Sequence, residues 1–187
     1  MKKLIPFLLF PTAALAHPGH LGGHSPFAEG WMHPLGGPDH VLAMVAVGLW
    51  AATATDRRGI WALPLTFMAA MVLGGALGAM GVHLPAVEPM ILASSIILGL
   101  AVALALRPSL AFALPAVALF GLMHGHAHGA EGPSAGLAAY AAGFLLATGA
   151  LHLAGIGLGR LKLGHLALTR ILGAITAAAG VALAVMP

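Results

Sequence analysis

Two short strings concentrate the groups able to do chemistry. The first is HPLGGPDH, His33 to His40, and the second is MHGHAHGAE, Met123 to Glu131. Each joins imidazoles to a carboxylate: His33, Asp39 and His40 in the first, His124, His126, His128 and Glu131 in the second. Imidazole nitrogen with carboxylate oxygen is a donor set suited to Ni, Co, Zn or Cu. The chain holds 11 histidines beside 8 basic and 5 acidic side chains, and no cysteine. The missing cysteine removes disulfides, thiolate zinc sites and iron–sulfur clusters. Nitrogen and oxygen donors remain, with methionine sulfur a minor addition.

Spacing says how these groups can meet. Pro34, Gly36, Gly37 and Pro38 interrupt regular helix ahead of the first apolar run. Pro38 suits a first helical position, where its missing N–H costs nothing. Asp39 and His40 then fall in the first turn, where the helix dipole favours the carboxylate. His33 does not share their face by periodicity and joins them only if the turn folds it back. In the second string His124 and His128 share a face as i and i+4, a chelating spacing. His126 points the other way, and Glu131 lies within one turn of His128.

The elements that must position these groups are set by composition. Hydrophobic residues make up 60% of the 187 and charged residues only 7%, against about 25% in soluble domains. Soluble enzymes and disordered chains are excluded. Met1-Lys2-Lys3, a short apolar core over Leu4–Leu15 and Ala14-Leu15-Ala16 read as a signal peptide over 1–16, cleaved before His17. Cleavage removes two of the 8 basic residues and lowers the net charge from +3 to +1. No Lys/Arg cluster exists to bind phosphates, so no nucleic-acid partner is implied. Apolar runs over about 38–55, 60–82, 89–106, 109–129, 135–158 and 166–186 are each long enough to cross a bilayer. They must be helices, because lipid offers backbone groups no partner. The expected fold is an all-α integral membrane protein with six transmembrane helices over 38–187, preceded by an outer histidine-containing segment, 17–37.

Charge orients the spans. Arg57, Arg58, Arg107, Arg160, Lys162 and Arg170 lie in or beside alternate connections, while the other connections carry Glu88 and Glu131. The positive-inside rule makes the first set cytoplasmic. Both mature termini are then extracytoplasmic. Both histidine strings converge at the outer third of the bilayer, where ionisable residues are rare and usually mark pathways or sites. Gly74 and Gly78, Gly121, Gly125 and Gly129, and Gly155 and Gly159 repeat every four residues, a pattern for close helix packing in lipid.

Other histidines carry weaker signals. His152 follows Tyr140, Phe144 and Thr148 at intervals of four, deep toward the cytoplasmic side. It reads equally as an inner relay or as a polar packing contact. His126 carries the same two readings. His17, His20 and His24 gather at the predicted mature terminus for weak metal capture, or form a polar tail. Met44 reads as filler. Ser94 and Ser95 read as side chains bonded to their own backbone.

HPLGGPDHVLAMVAVGLWA, MHGHAHGAE and ATGALHLAGIGLG together resemble the HupE/UreJ family of bacterial nickel permeases. The match covers essentially the whole mature chain. His33, Pro34, Gly37, Asp39 and His40 fit the family string HPxxGxDH, and His124, Gly125, Ala127, Gly129 and Glu131 fit FHGxAxGxE. Met123 stands where the family has an aromatic residue, which puts only local packing in question. The resemblance implies secondary uptake of Ni²⁺, or of Co²⁺ in some relatives, for hydrogenase, urease or cobalamin enzymes.

These readings define an outer metal site of His33, Asp39, His40, His124, His128 and Glu131, with His17, His20, His126 and His152 secondary. The ion, Ni²⁺ first and Co²⁺ or Zn²⁺ next, is cargo rather than a resident cofactor. No enzyme activity is expected. No nucleotide-binding loop is present, so no ATPase step belongs to the chain. The expected partners are the ion, the bilayer and, in a homo-oligomer, a second copy. Three rivals stand beside this reading: an intramembrane metal hydrolase, although HExxH is absent; a bis-histidine haem protein; and a metal-binding sensor subunit that moves nothing.

Overall fold

The computed structural model describes residues 25–54, 57–107, 109–161 and 165–186. The predicted signal peptide, His17, His20 and His24 lie outside the described residues. Among the described residues seven helices follow in order: α1 Pro26–Gly36, α2 Pro38–Ala52, α3 Arg57–Ala79, α4 Val87–Ala103, α5 Leu110–Glu131, α6 Leu137–Gly159 and α7 His165–Val185. Four of them are long and apolar enough to cross a membrane, within Arg58–Ala79, Leu110–Glu131, Leu137–Gly159 and Leu168–Val185. Together they make this a multi-pass helical membrane protein. Phe112, at 77% exposure, and Leu65, Leu73, Leu146, Ile171 and Ile175 face outward, as lipid rather than water requires.

The two remaining expected spans differ from plan. Helix α2 has 15 residues and qualifies only with α1, from which it is bent by 83°. Helix α4 has 17 residues. At 1.5 Å per residue they reach about 22 and 26 Å, short of a hydrocarbon core of about 30 Å. The end of α4 is held by side chains. The Trp50 indole donates to Leu106 O at 2.8 Å, and Arg170 Nε donates to Ala103 O at 2.8 Å. Ala105, with φ of 52°, turns the chain away there.

A second correction concerns the segment before α2. Pro34 does not prevent helix there: it lies inside the 11-residue α1. Ser25 caps that helix, accepting from Ala28 N at 3.4 Å, and Pro26 opens it. Pro34 removes one N–H near the helix end, and packing against α6 outweighs that loss. A Cβ at Gly30 would collide with the Tyr140 carbonyl, and one at Gly143 with the Phe27 carbonyl. The break falls at Gly37, and Pro38 starts α2 as its fixed φ favours.

The glycine repeats hold the bundle together. On α3 and α5, Cβ atoms at Gly74, Gly78, Gly121, Gly125 and Gly129 would each strike a carbonyl oxygen of the facing helix. Gly155 stands equally close to α2 at Val45 and Gly48. Around these seams lies a core that includes Met44, Val47, Leu49, Phe67, Val117, Phe120 and Phe144.

Candidate metal site

The break between α1 and α2, the C-terminal half of α5 and the N-terminal half of α6 meet at one end of the bundle. There the structure brings together five of the predicted residues, four imidazoles and the Asp39 carboxylate. Ring centres are 4.6 Å apart for His33 and His128, 4.6 Å for His128 and His40, and 5.0 Å for His40 and His124. The 83° bend, not periodicity, folds His33 back onto this row.

Two of the rings have a fixed tautomer. His124 Nδ1 lies 2.9 Å from Phe120 O. A carbonyl only accepts, so Nδ1 carries the proton and Nε2 keeps a lone pair. His40 Nδ1 lies 2.8 Å from Asp39 Oδ1, and the ionised carboxylate imposes the same tautomer. The buried Nε2 atoms of His40 and His124 and both nitrogens of His128 have no hydrogen-bond partner among the described residues. Buried polar atoms are rarely left so. Asp39 Oδ1 also accepts from the His40 backbone N–H at 2.9 Å. Its place is therefore behind His40, as the carboxylate that orients an imidazole. A Cβ at Gly37 would lie 2.8 Å from His40 Nδ1 and 3.0 Å from Asp39 Oδ1, so this pair needs a glycine in front of it.

The other predicted residues lie elsewhere. Glu131, at the end of α5, is exposed and outside the row of rings. His126 faces away and bonds Val82 O at 2.6 Å, fastening the α3–α4 connection rather than joining the site. His152 lies deeper, beyond Phe67, whose ring centre is 5.3 Å from His124 and 5.2 Å from His152. Ser94 and Ser95 donate to Ile91 O and Leu92 O, as their sequence context suggests. Among the described residues, no three His, Asp or Glu side chains already close on one point as metal ligands.

Sequence reasoning missed Glu88. It opens α4 and lies within electrostatic reach of Glu131, Asp39 and His40. Its only signal was a loop position on the face shared by both strings. The reasoning also missed a cavity of about 320 Å³ beside His128, walled by Met71, Gly75, Tyr140 and Phe144 among others. Helix faces cannot be paired from periodicity alone, so neither feature was legible.

Fold and site together define a multi-pass helical membrane protein with a row of buried and half-buried imidazoles backed by a carboxylate. The family model described as HupE / UreJ protein matches residues 5–183. Protein HupE of Rhizobium leguminosarum bv. viciae is 42% identical over 182 residues, covering 95% of this chain and 93% of the relative. The chain belongs to the HupE/UreJ family. No solved structure matches it.

Proposed function

We propose that this protein is a secondary permease that takes up a divalent transition-metal ion, Ni²⁺ foremost, across the bacterial inner membrane. The observation that carries the reading is the row His33, His128, His40 and His124, in which His128, His40 and His124 have buried nitrogens without a partner among the described residues and two rings are fixed in the ligating tautomer. Two imidazoles bound to one ion through nitrogens about 2.1 Å away hold their ring centres roughly 5 Å apart. The observed ring spacings are close to this. Family membership supports the transport role.

In this reading His40, His124, His128 and His33 replace part of the ion's hydration shell, and Asp39 orients His40. Glu131 and Glu88 attract the cation to the outer end. Nitrogen donors favour Ni²⁺, Co²⁺ or Zn²⁺ over Mg²⁺ and Ca²⁺. The chain crosses six times, with α1–α2 as one bent crossing and α4 as a short one. The basic connections face the cytoplasm. Inward movement of two positive charges gains about 4.6 kcal/mol per 100 mV of membrane potential, so no nucleotide hydrolysis is needed.

Uptake of radioactive nickel by liposomes containing only this protein tests the reading. Asp39→Ala and His124→Ala are expected to reduce the flux severely. If the wild type moves no nickel, the permease reading fails; if neither substitution lowers flux, the assigned site is wrong.

A further inference from the structure

Below the outer row lies a second group of donors. Helices α2, α3 and α6 each turn an i, i+4 pair into one buried region: Met44 and Gly48, Phe67 and Met71, Thr148 and His152. The Thr148 hydroxyl donates to Met44 Sδ at 3.4 Å and lies 4.0 Å from Met71 Sδ. His152 stands one helical turn further along α6, against the edge of Phe67. Exposure is 0% for Met44 and Thr148, 1% for His152 and 3% for Met71. Both His152 nitrogens are buried and without a partner among the described residues. A Cβ at Gly48 would strike the His152 carbonyl, so α2 and α6 meet closely here. A buried imidazole with two unsatisfied nitrogens is a poor packing residue, and one helical turn from a hydroxyl that two thioethers approach it completes the composition of a ligand set.

We propose that His152, Met44 and Met71 form an inner binding site for the transported ion, a neutral nitrogen–sulfur set entered past Phe67. The proposal rests on the transport reading above and adds where selection occurs. Outer imidazoles and carboxylates also attract hard cations by charge. Thioethers do not replace the hydration of Mg²⁺ or Mn²⁺, which prefer oxygen, whereas imidazole suits Ni²⁺ and sulfur beside it favours the softer cations. A site without formal charge also releases its ion readily, as conduction demands. Thr148 holds the Met44 sulfur through its one hydroxyl proton.

The test uses the purified full chain loaded with Ni²⁺ and examined by X-ray absorption at the nickel edge. Sulfur scattering is expected in the wild type and should form a larger share of the signal in His124→Ala. It should vanish in the double variant Met44→Leu/Met71→Leu, whose volumes are nearly conserved. In liposomes that variant should take up Ni²⁺ at least tenfold more slowly and discriminate less against Mn²⁺. His152→Gln should do the same, and each single leucine variant should show part of the loss if the double variant does not fold. Absence of sulfur scattering in both wild type and His124→Ala overturns the proposal, as does wild-type uptake and discrimination in the leucine variants. If the wild type moves no nickel yet shows a sulfur signal that the leucines remove, transport falls and the inner site stands. If nickel moves but sulfur is never seen, the inner site falls and transport stands.

Discussion

At the scale of single residues, proton positions decide what the histidines can do. His124 gives its Nδ1 proton to Phe120 O and His40 gives its own to Asp39, so both present Nε2 to the shared space. Replacing Asp39 by Ala frees the His40 ring and should weaken Ni²⁺ binding about 10- to 100-fold, read by titration of the purified protein. Asn at the same position keeps an acceptor and should cost less. Protons compete with the ion for these nitrogens, so nickel affinity should fall and never rise as pH drops. Tighter nickel binding at pH 5 than at pH 8 would contradict the site. His126 provides the contrast. His126→Ala loses the bond to Val82 O and should cost about 1 kcal/mol of stability, seen as a lower melting temperature in detergent, with nickel uptake retained.

At the scale of elements, close helix approach and one sharp bend create the site. The α3–α5 seam leaves no room for a side chain at Gly125, where a Cβ would collide with Met71 O. Gly125→Leu should destabilise the bundle by about 3 kcal/mol, measured as loss of monodisperse protein after mild heating. Gly37→Ala should act differently. The added methyl presses on His40 and Asp39 rather than on a helix seam, so folded protein should accumulate while nickel uptake falls. These glycines were readable as a four-residue repeat, but their partner helices were not. Helix α1 was not readable at all, because Pro34 and two glycines argue locally against helix. Packing against Tyr140 and Gly143 of α6 overrides that local preference.

At the scale of the whole molecule, charge and length set the topology. Native cysteine is absent, so single cysteines report sidedness cleanly. A cysteine replacing His83 should react with an impermeant maleimide added outside intact cells. One replacing Arg107 or Arg160 should react only after the membrane is opened. Labelling of Arg107→Cys from outside would reverse the orientation and with it the direction of uptake. Helix α2 is apolar and long enough to cross a membrane only together with α1, which meets it at an 83° bend. This geometry brings His33 from one helix, His40 from the next and His128 from α5 into one row.

Composition and periodicity alone determined that the chain is helical and membrane-embedded. Lipid forces apolar runs into helices and leaves few places for ionisable groups. The same logic singled out His33, Asp39, His40, His124 and His128, since polar groups stand out against an apolar background. Only the tertiary structure decided that Asp39 lies behind His40, that Glu131 stays exposed and that His126 is a fastening. It also decided that Met44, which reads as filler in the sequence, lies with Met71 around the Thr148 hydroxyl. Those distinctions depend on which helix faces meet, and that follows from glycine seams and an 83° bend acting between segments distant in sequence.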